Sequence, residues 1–259
     1  MTRHSPALRY HAPHRTATWL ELFFDLVFVV VVSKITHFLS HTHDGHLEAG
    51  ALWKTTLTLL PVWWIWLLHT TWSNLYDRDS KLDRAASLLV VAQMLVLSTV
   101  ITTDWDKTYP LFNACYFGLR LTMAARFYFQ RSNHPGYETL GKSRGRWILI
   151  AALVSLASAL FPPPLRYLVF YIGLALEIAH PLRLSRSRKI PPLHLHHLLE
   201  RMGLLVIILM GESIISLSAG FAAIDLNSES VIAAASGGLM IFATWWIYFD
   251  SYIRLADKT

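Results

Sequence analysis

Cysteine and charge are both scarce in this 259-residue chain. Cys115 is the only cysteine, so the chain can form no intramolecular disulfide and its thiol has no partner for redox chemistry. Charged residues make up 15% of the sequence and hydrophobic residues 54%, with a mean hydropathy of +0.38. A soluble domain carries about a quarter charged residues. The composition therefore excludes an ordinary soluble protein and indicates an integral membrane protein.

Motifs of several enzyme and binding classes are also missing. The sequence contains no glycine-rich phosphate loop, no HExxH zinc motif and no GxSxG nucleophile elbow. We therefore predict no cofactor and no catalytic residue. The net charge of +6 and the pI near 9.5 do not point to nucleic acid, since no nucleic-acid-binding motif accompanies the basic residues. We expect the lipid bilayer as a partner and leave a homo-oligomer open.

Long apolar runs recur along the whole chain. Each is long enough, or nearly so, to cross about 30 Å of hydrocarbon as a helix. The runs predict an all-α polytopic bundle at 18–254, between an N-terminal tail at 1–17 and a C-terminal end at 255–259. The triple proline at 162–164 separates two short runs, which could form either a helical hairpin or one broken helix. The eight predicted spans are 18–40, 51–73, 85–103, 109–130, 147–162, 165–183, 197–219 and 230–251.

Lysine and arginine alternate between the loops. Sixteen of them flank one set of loops and both tails, whereas the opposite set holds only Lys107 and Arg166. The positive-inside rule then predicts that both termini are cytoplasmic and that the protein crosses the inner membrane an even number of times. The first apolar run lacks a small-residue cleavage site, so we expect no cleaved signal peptide.

Two acids open the first span. Glu21 and Asp25 are four residues apart and share one face of a helix. A charge in hydrocarbon costs about 2.5–3.5 kcal/mol on insertion scales, and such residues often mark ion or proton pathways. One interpretation makes Asp25 a proton- or cation-binding carboxylate with Glu21 at its entrance. The other is that both acids pair with basic residues of neighbouring helices and only hold the helices together.

Further charged residues lie in later spans. Glu212 and Ser213 are deep in the seventh span, and Glu200 opens that span on the side predicted to hold Glu21, so we add these three to the candidate pathway. Arg120 and Glu177 lie at matching depths in the fourth and sixth spans. Because an unpaired buried charge is far costlier than a paired one, we predict a structural ion pair between them.

Histidines crowd the first outer loop. His37 and His41 are four residues apart, and His43 and His46 follow. A short His-rich tract can bind zinc, copper or nickel. No cysteine or second cluster supports such a site, so we predict no metal centre and name these four residues as the candidates if one exists. A loop that responds to pH is the favoured interpretation.

Three segments together carry a family resemblance. They are ELFFDLVFV at 21–29, HHLLERMGLLVIILMGESI at 196–214 and TWWIYFD at 244–250. In this order and spacing they resemble the bacterial low-temperature-requirement A proteins over nearly the whole chain. The resemblance implies a multi-helix inner-membrane protein named for a growth phenotype in the cold. Members of that family are expected to be longer, so this chain is either a short form or a truncated one.

Three functional hypotheses follow. We favour a transporter or channel for a proton or small ion that uses Asp25 and Glu212. A non-catalytic scaffold or sensor linked to growth in the cold would use its charges only to pack helices. A membrane enzyme acting on lipid-linked substrates would use the acids as a general acid–base pair, and we rank this activity below a non-enzymatic role.

Overall fold

The structure is a computed structural model that describes residues 16–40, 42–43, 46–47, 49–102, 104–130, 135–186, 193–222 and 227–256. Eight helices account for nearly all of these residues. They are α1 (Trp19–Thr36), α2 (Ala49–Tyr76), α3 (Lys81–Val100), α4 (Trp105–Phe129), α5 (Pro135–Ala157), α6 (Leu165–Arg186), α7 (Leu195–Ala222) and α8 (Ser228–Ala256). Two 3-10 turns (His37–Ser40 and Ser158–Leu160) and a paired β1 (Thr42–His43) and β2 (His46–Leu47) complete the described part.

The prediction of an all-α polytopic membrane protein is confirmed. Seven of the described helices are long and apolar enough to cross a bilayer, and α4 is the exception. α4 is long enough to span, with 25 residues, but carries Asn113, Arg120 and Arg126 among its buried side chains. These polar groups lower its hydropathy, and packing against α2, α3 and α5 covers them.

The chain divides into two compact units. One contains the described residues from Val30 to His194, and the other those from 16 to Val29 and from Leu195 onward. In the first unit α4 packs most extensively against α5, and α5 against α6. In the second unit α7 packs against α8. Each unit is described separately below.

Small residues allow α5 to approach its neighbours closely in the first unit. A side chain at Gly145 would lie 2.6 Å from the backbone oxygen of Ala124 in α4. A side chain at Gly173 of α6 would lie 2.7 Å from the backbone oxygen of Ala151 in α5. Close backbone approach of this kind is a common source of helix association in membranes.

The proline-rich segment at 162–164 separates two helices that pack against each other. α5 ends at Ala157, and α6 begins at Leu165. Proline removes a backbone donor and its ring obstructs the preceding turn, so the run cannot continue a helix. Of the two arrangements that the sequence leaves open, the structure has the hairpin.

Prolines inside α2 and α4 each leave a backbone carbonyl without its usual N–H donor, and a side chain of α6 donates a hydrogen bond to it instead. Pro61 has no N–H to donate to Leu57, four residues earlier, and the Tyr171 hydroxyl donates to that carbonyl oxygen at 2.5 Å. Pro110 likewise frees the carbonyl of Asp106, which accepts from Nη2 of Arg166 at 3.2 Å. The Leu57 carbonyl lies within a membrane-spanning helix, where hydrocarbon offers no water and α6 supplies the missing donor. The Asp106 carbonyl lies at the exposed beginning of α4.

Replacing Tyr171 by Phe tests this compensation. The variant removes one hydroxyl and leaves the Leu57 carbonyl without its donor, so we expect a loss of about 1–3 kcal/mol in the free energy of unfolding. Denaturant titration in detergent measures it. In a Pro61→Ala background the new backbone N–H bonds Leu57, and the same Tyr171→Phe change should cost clearly less. Equal costs in the two backgrounds would contradict the account.

Candidate functional site

An acid–base cluster lies in the second unit, where α1 and α7 begin. Oδ1 of Asp25 accepts a hydrogen bond from Nη2 of Arg201 at 2.5 Å, and both side chains are fully buried. Nη1 of Arg201 lies 3.8 Å from Oε1 of Glu21. Nε2 of His197 lies 3.3 Å from Oε2 of Glu21. Two carboxylates, one imidazole and one guanidinium thus share a site closed to solvent.

The spacing along each helix produces this arrangement. Glu21 and Asp25 are four residues apart on α1, and His197 and Arg201 are four residues apart on α7. Residues at this spacing lie on the same face of a helix. Both contacts join residues 176 apart, so the two helices run parallel and pair turn for turn.

The first turn of α1 fixes Glu21. The Thr18 hydroxyl accepts from the backbone N–H of Glu21 at 3.2 Å, and Oε2 of Glu21 accepts from the backbone N–H of Thr18 at 2.8 Å. This reciprocal pair is a capping box, which starts a helix by satisfying two of its free donors. Oε2 of Glu200 accepts from the backbone N–H of Ala17 at 3.1 Å, so a second acid also caps this end.

The remaining two candidate residues lie farther along α7. Glu212 is eleven residues beyond Arg201, which corresponds to about 16 Å along a helix. Its side chain is half-buried. The Ser213 hydroxyl donates to the backbone oxygen of Leu209 at 2.9 Å, within its own helix. The structure therefore brings Glu21, Asp25 and Glu200 together and leaves Glu212 and Ser213 apart from them.

A second buried network lies in the first unit. Nη2 of Arg120 donates to Oε2 of Glu177, and both side chains are almost completely buried. Nη1 of Arg120 donates to the Ser155 hydroxyl at 2.7 Å. Oε1 of Glu177 accepts from the indole N–H of Trp64 at 2.8 Å. Each carboxylate oxygen has its own donor, and the network joins α2, α4, α5 and α6.

Arg126 is a buried cation that sequence reasoning did not single out. Its guanidinium lies 3.7 Å from the centre of the Trp72 ring, and its Nη2 donates to the Ser87 hydroxyl at 2.9 Å. The Trp72 indole N–H in turn donates to the backbone oxygen of Arg126 at 3.1 Å. A desolvated cation–π contact contributes about 2 kcal/mol or more. The sequence could not predict this contact. Many membrane helices carry a basic residue three or four positions from their end and an aromatic residue in a neighbouring span.

Sequence reasoning also missed the partner of Glu21. His197 follows another histidine at the start of α7, where an interfacial position is the simpler expectation, yet its side chain is fully buried against Glu21. Arg201, at the mouth of the same span, is fully buried as well. The position of Arg201 at the start of this span already predicts that it can reach Glu21. The spacing of His197 and Arg201, which matches that of Glu21 and Asp25, is the signal that would have identified His197.

The histidine-rich loop adds no metal site to the described part of the chain. His37 is exposed at the end of α1, His41 lies outside the described residues, and the side chains of His43 and His46 do as well. Among the residues that can be described, no group of three or more metal-binding side chains comes together.

The helices and their buried ion pairs define a multi-pass α-helical membrane protein with charged contacts inside its helix packing. Residues 16–258 match the bacterial low temperature requirement A protein (LtrA) family. The chain belongs to that family, as the resemblance of its three segments implies.

One curated relative is an uncharacterized protein of Rhizobium meliloti (strain 1021). It is 27% identical over 254 residues, which cover 93% of this chain and 60% of the relative. The chain thus spans well under two thirds of the length of that relative. No solved structure matches the chain.

Removing the acid of the Arg120–Glu177 pair should be far more harmful than breaking an exposed pair. Glu177→Gln leaves the Arg120 guanidinium buried without its anion, for which we expect a loss of about 3–5 kcal/mol in the free energy of unfolding. Denaturant titration in detergent is the measurement.

Arg84→Gln is the matched control, because it breaks an ion pair with Asp79 in which the Arg84 side chain is 61% exposed. Exposed pairs contribute little, so we expect no measurable loss from this change. A Glu177→Gln variant as stable as Arg84→Gln would show that the buried pair does not hold these helices.

Proposed function

We propose that this protein is a transporter or channel for a proton or small ion, and that the cluster of Glu21, Asp25, His197 and Arg201 is a step in its pathway. The observation that carries the proposal is the burial of two acids beside a histidine at the start of two parallel helices. Charged groups inside a membrane are costly, and they are retained most often where ions or protons pass.

The chemistry of the cluster suits proton or cation exchange. Imidazole is a common proton shuttle in proteins, and His197 lies within hydrogen-bond reach of Glu21. Asp25 already has a cationic partner in Arg201. A proton or small cation arriving at Asp25 would compete with the guanidinium, so binding would weaken the contact between α1 and α7. Such a competition links occupancy of the site to helix packing.

The acids also follow an order along the helices. Glu200 and Glu21 lie at the beginning of α7 and α1, Asp25 lies one turn deeper, and Glu212 lies about 16 Å beyond Arg201. In the proposed pathway Glu200 and Glu21 form the entrance, Asp25 is the first binding group, and Glu212 with Ser213 is a later one.

The distribution of basic residues supports an orientation for this pathway. We propose that both termini are in the cytoplasm of a bacterial cell and that the protein lies in the inner membrane. In this orientation the buried cluster lies in the cytoplasmic half of the protein, since α1 and α7 both begin on that side.

Single-cysteine labelling tests the orientation. In a Cys115→Ser background, Ser228→Cys places a thiol at the first residue of α8, and Ser187→Cys places one in the segment that follows α6 in the sequence. We expect a membrane-impermeant maleimide to label the Ser228→Cys variant in intact cells, and the Ser187→Cys variant only after the membrane is permeabilised. The reverse pattern would refute the proposed orientation.

Flux in proteoliposomes tests the transport proposal itself. Under imposed H⁺, Na⁺ and K⁺ gradients, we expect wild type to carry flux of at least one ion. Asp25→Asn and Glu212→Gln each remove a proposed binding charge and should reduce this flux at least about tenfold. Glu138→Gln is the matched control, because this acid sits in a largely exposed pair with Lys142 and should leave flux unchanged.

A folding control separates transport from stability. Asp25→Asn removes the nearer of the two acids that contact the buried Arg201, with Glu21 at 3.8 Å remaining, and can destabilise the protein. The double variant Asp25→Asn with Arg201→Gln removes both charges, so it should recover stability while flux stays low. Recovery of flux together with stability would assign the pair to packing alone.

The second candidate function is a non-catalytic scaffold or sensor. It is favoured by one observation: Glu21 and Asp25 each contact a basic side chain of α7, as charges that only hold helices together would. Folded wild type that carries no flux under any of the three gradients, with acid-to-amide variants that are merely less stable, would support this function over transport.

A further inference from the structure

A groove of about 220 Å³ lies within the first unit, apart from the acid–base cluster. One wall is a stripe of α2, formed by Trp64, Leu67, Thr71 and Leu75. These residues are three or four positions apart and so lie along one face of the helix. From the first to the last the stripe is about 16 Å long. This narrow, mostly apolar shape suits an extended alkyl chain.

Arg144 of α5 is the charged residue that lines this groove. Its guanidinium lies 5.9 Å from the ring centres of both Trp64 and Phe127. Among the described residues, the Arg144 guanidinium makes these two ring contacts, and its N–H groups take part in no hydrogen bond or ion pair. A guanidinium carries five N–H donors in a fixed planar arrangement that matches a carboxylate.

The charges around Arg144 favour an anion as its partner. Glu177 is within electrostatic range, but both of its oxygens accept hydrogen bonds from Arg120 and Trp64. His180 lies within electrostatic range of both Arg144 and Arg183, so Arg183 adds one positive charge near this side of the groove. No acidic residue is among the described residues that line it.

We propose that the groove binds a single-chain organic anion of the fatty-acid type. Its carboxylate pairs with the Arg144 guanidinium, and its alkyl chain lies along the α2 stripe. Bidentate pairs between guanidinium and carboxylate are both strong and directional, which gives the site its preference for an anion. The proposal does not depend on transport through the α1–α7 cluster, because the two sites share no residue.

Tryptophan quenching provides the test, since Trp64 lines the groove and bromine quenches indole fluorescence on contact. The protein is held in nanodiscs of zwitterionic lipid. It is titrated with a medium-chain alkanoate brominated near its carboxyl end, which the proposed pose places beside Trp64, and, separately, with the trimethylammonium compound of the same chain length brominated at the matching position. A Trp64→Phe variant identifies the part of the signal that comes from the groove.

We expect saturable quenching of Trp64 by the alkanoate, with an affinity at least about tenfold higher than for the cationic probe. Arg144→Gln should remove this preference. Arg146→Gln is the matched control, because Arg146 is an exposed residue on the same helix that also lies over a ring, that of Tyr128, and this variant should bind as wild type does.

Equal affinity for the two probes on wild type would overturn the proposal, whatever the variants do, and would leave an apolar groove without charge selection. An Arg144→Gln variant that keeps the preference for the alkanoate would overturn it as well. Quenching that persists unchanged in Trp64→Phe would show that the probe binds elsewhere.

Discussion

The structure depends on one constraint: a charge placed among membrane helices needs a partner from another helix. Arg120 satisfies it with Glu177 and Ser155, and through Trp64 the same network reaches α2. Helices in lipid gain little from apolar burial, because the surrounding hydrocarbon is as apolar as they are. The polar contacts therefore select which helices meet and in which rotation. In the first unit this selection places the polar α4 inside a layer of more apolar neighbours.

The same constraint governs the backbone. Pro61 and Pro110 each break a helical hydrogen bond, and the freed carbonyls accept from Tyr171 and Arg166 of α6. One helix thus completes the hydrogen bonding of two others. The compensation ties its rotation to theirs, since a hydroxyl or guanidinium must point at a particular oxygen. Proline, which would weaken an isolated helix, here fixes how α6 packs.

Sequence patterns predicted well how deep a residue lies along its helix. They predicted poorly which neighbouring helix its side chain faces. The eight apolar runs correspond to the eight described helices, and the matching depths of Arg120 and Glu177 pointed to a contact that the structure contains. Depth alone could not show that Arg126 lies against Trp72 or that Arg144 lines a groove. Those contacts depend on which faces of separate helices meet. The four-residue spacing on α1 and on α7 was enough to predict the contact of His197. Two parallel helices with the same spacing can pair both residues at once, as His197 with Glu21 and Arg201 with Asp25 do.

The two buried charge networks differ in a way that bears on function. In the first unit both oxygens of Glu177 accept from groups that can only donate, a guanidinium and an indole. Such a network has one state, which is what a structural element requires. In the second unit Glu21 faces an imidazole, whose ring nitrogen can donate or accept a hydrogen bond depending on its tautomer. A contact that allows two hydrogen-bond arrangements can change with the occupancy of the site, so the α1–α7 pair is the stronger candidate for a moving part in the proposed pathway.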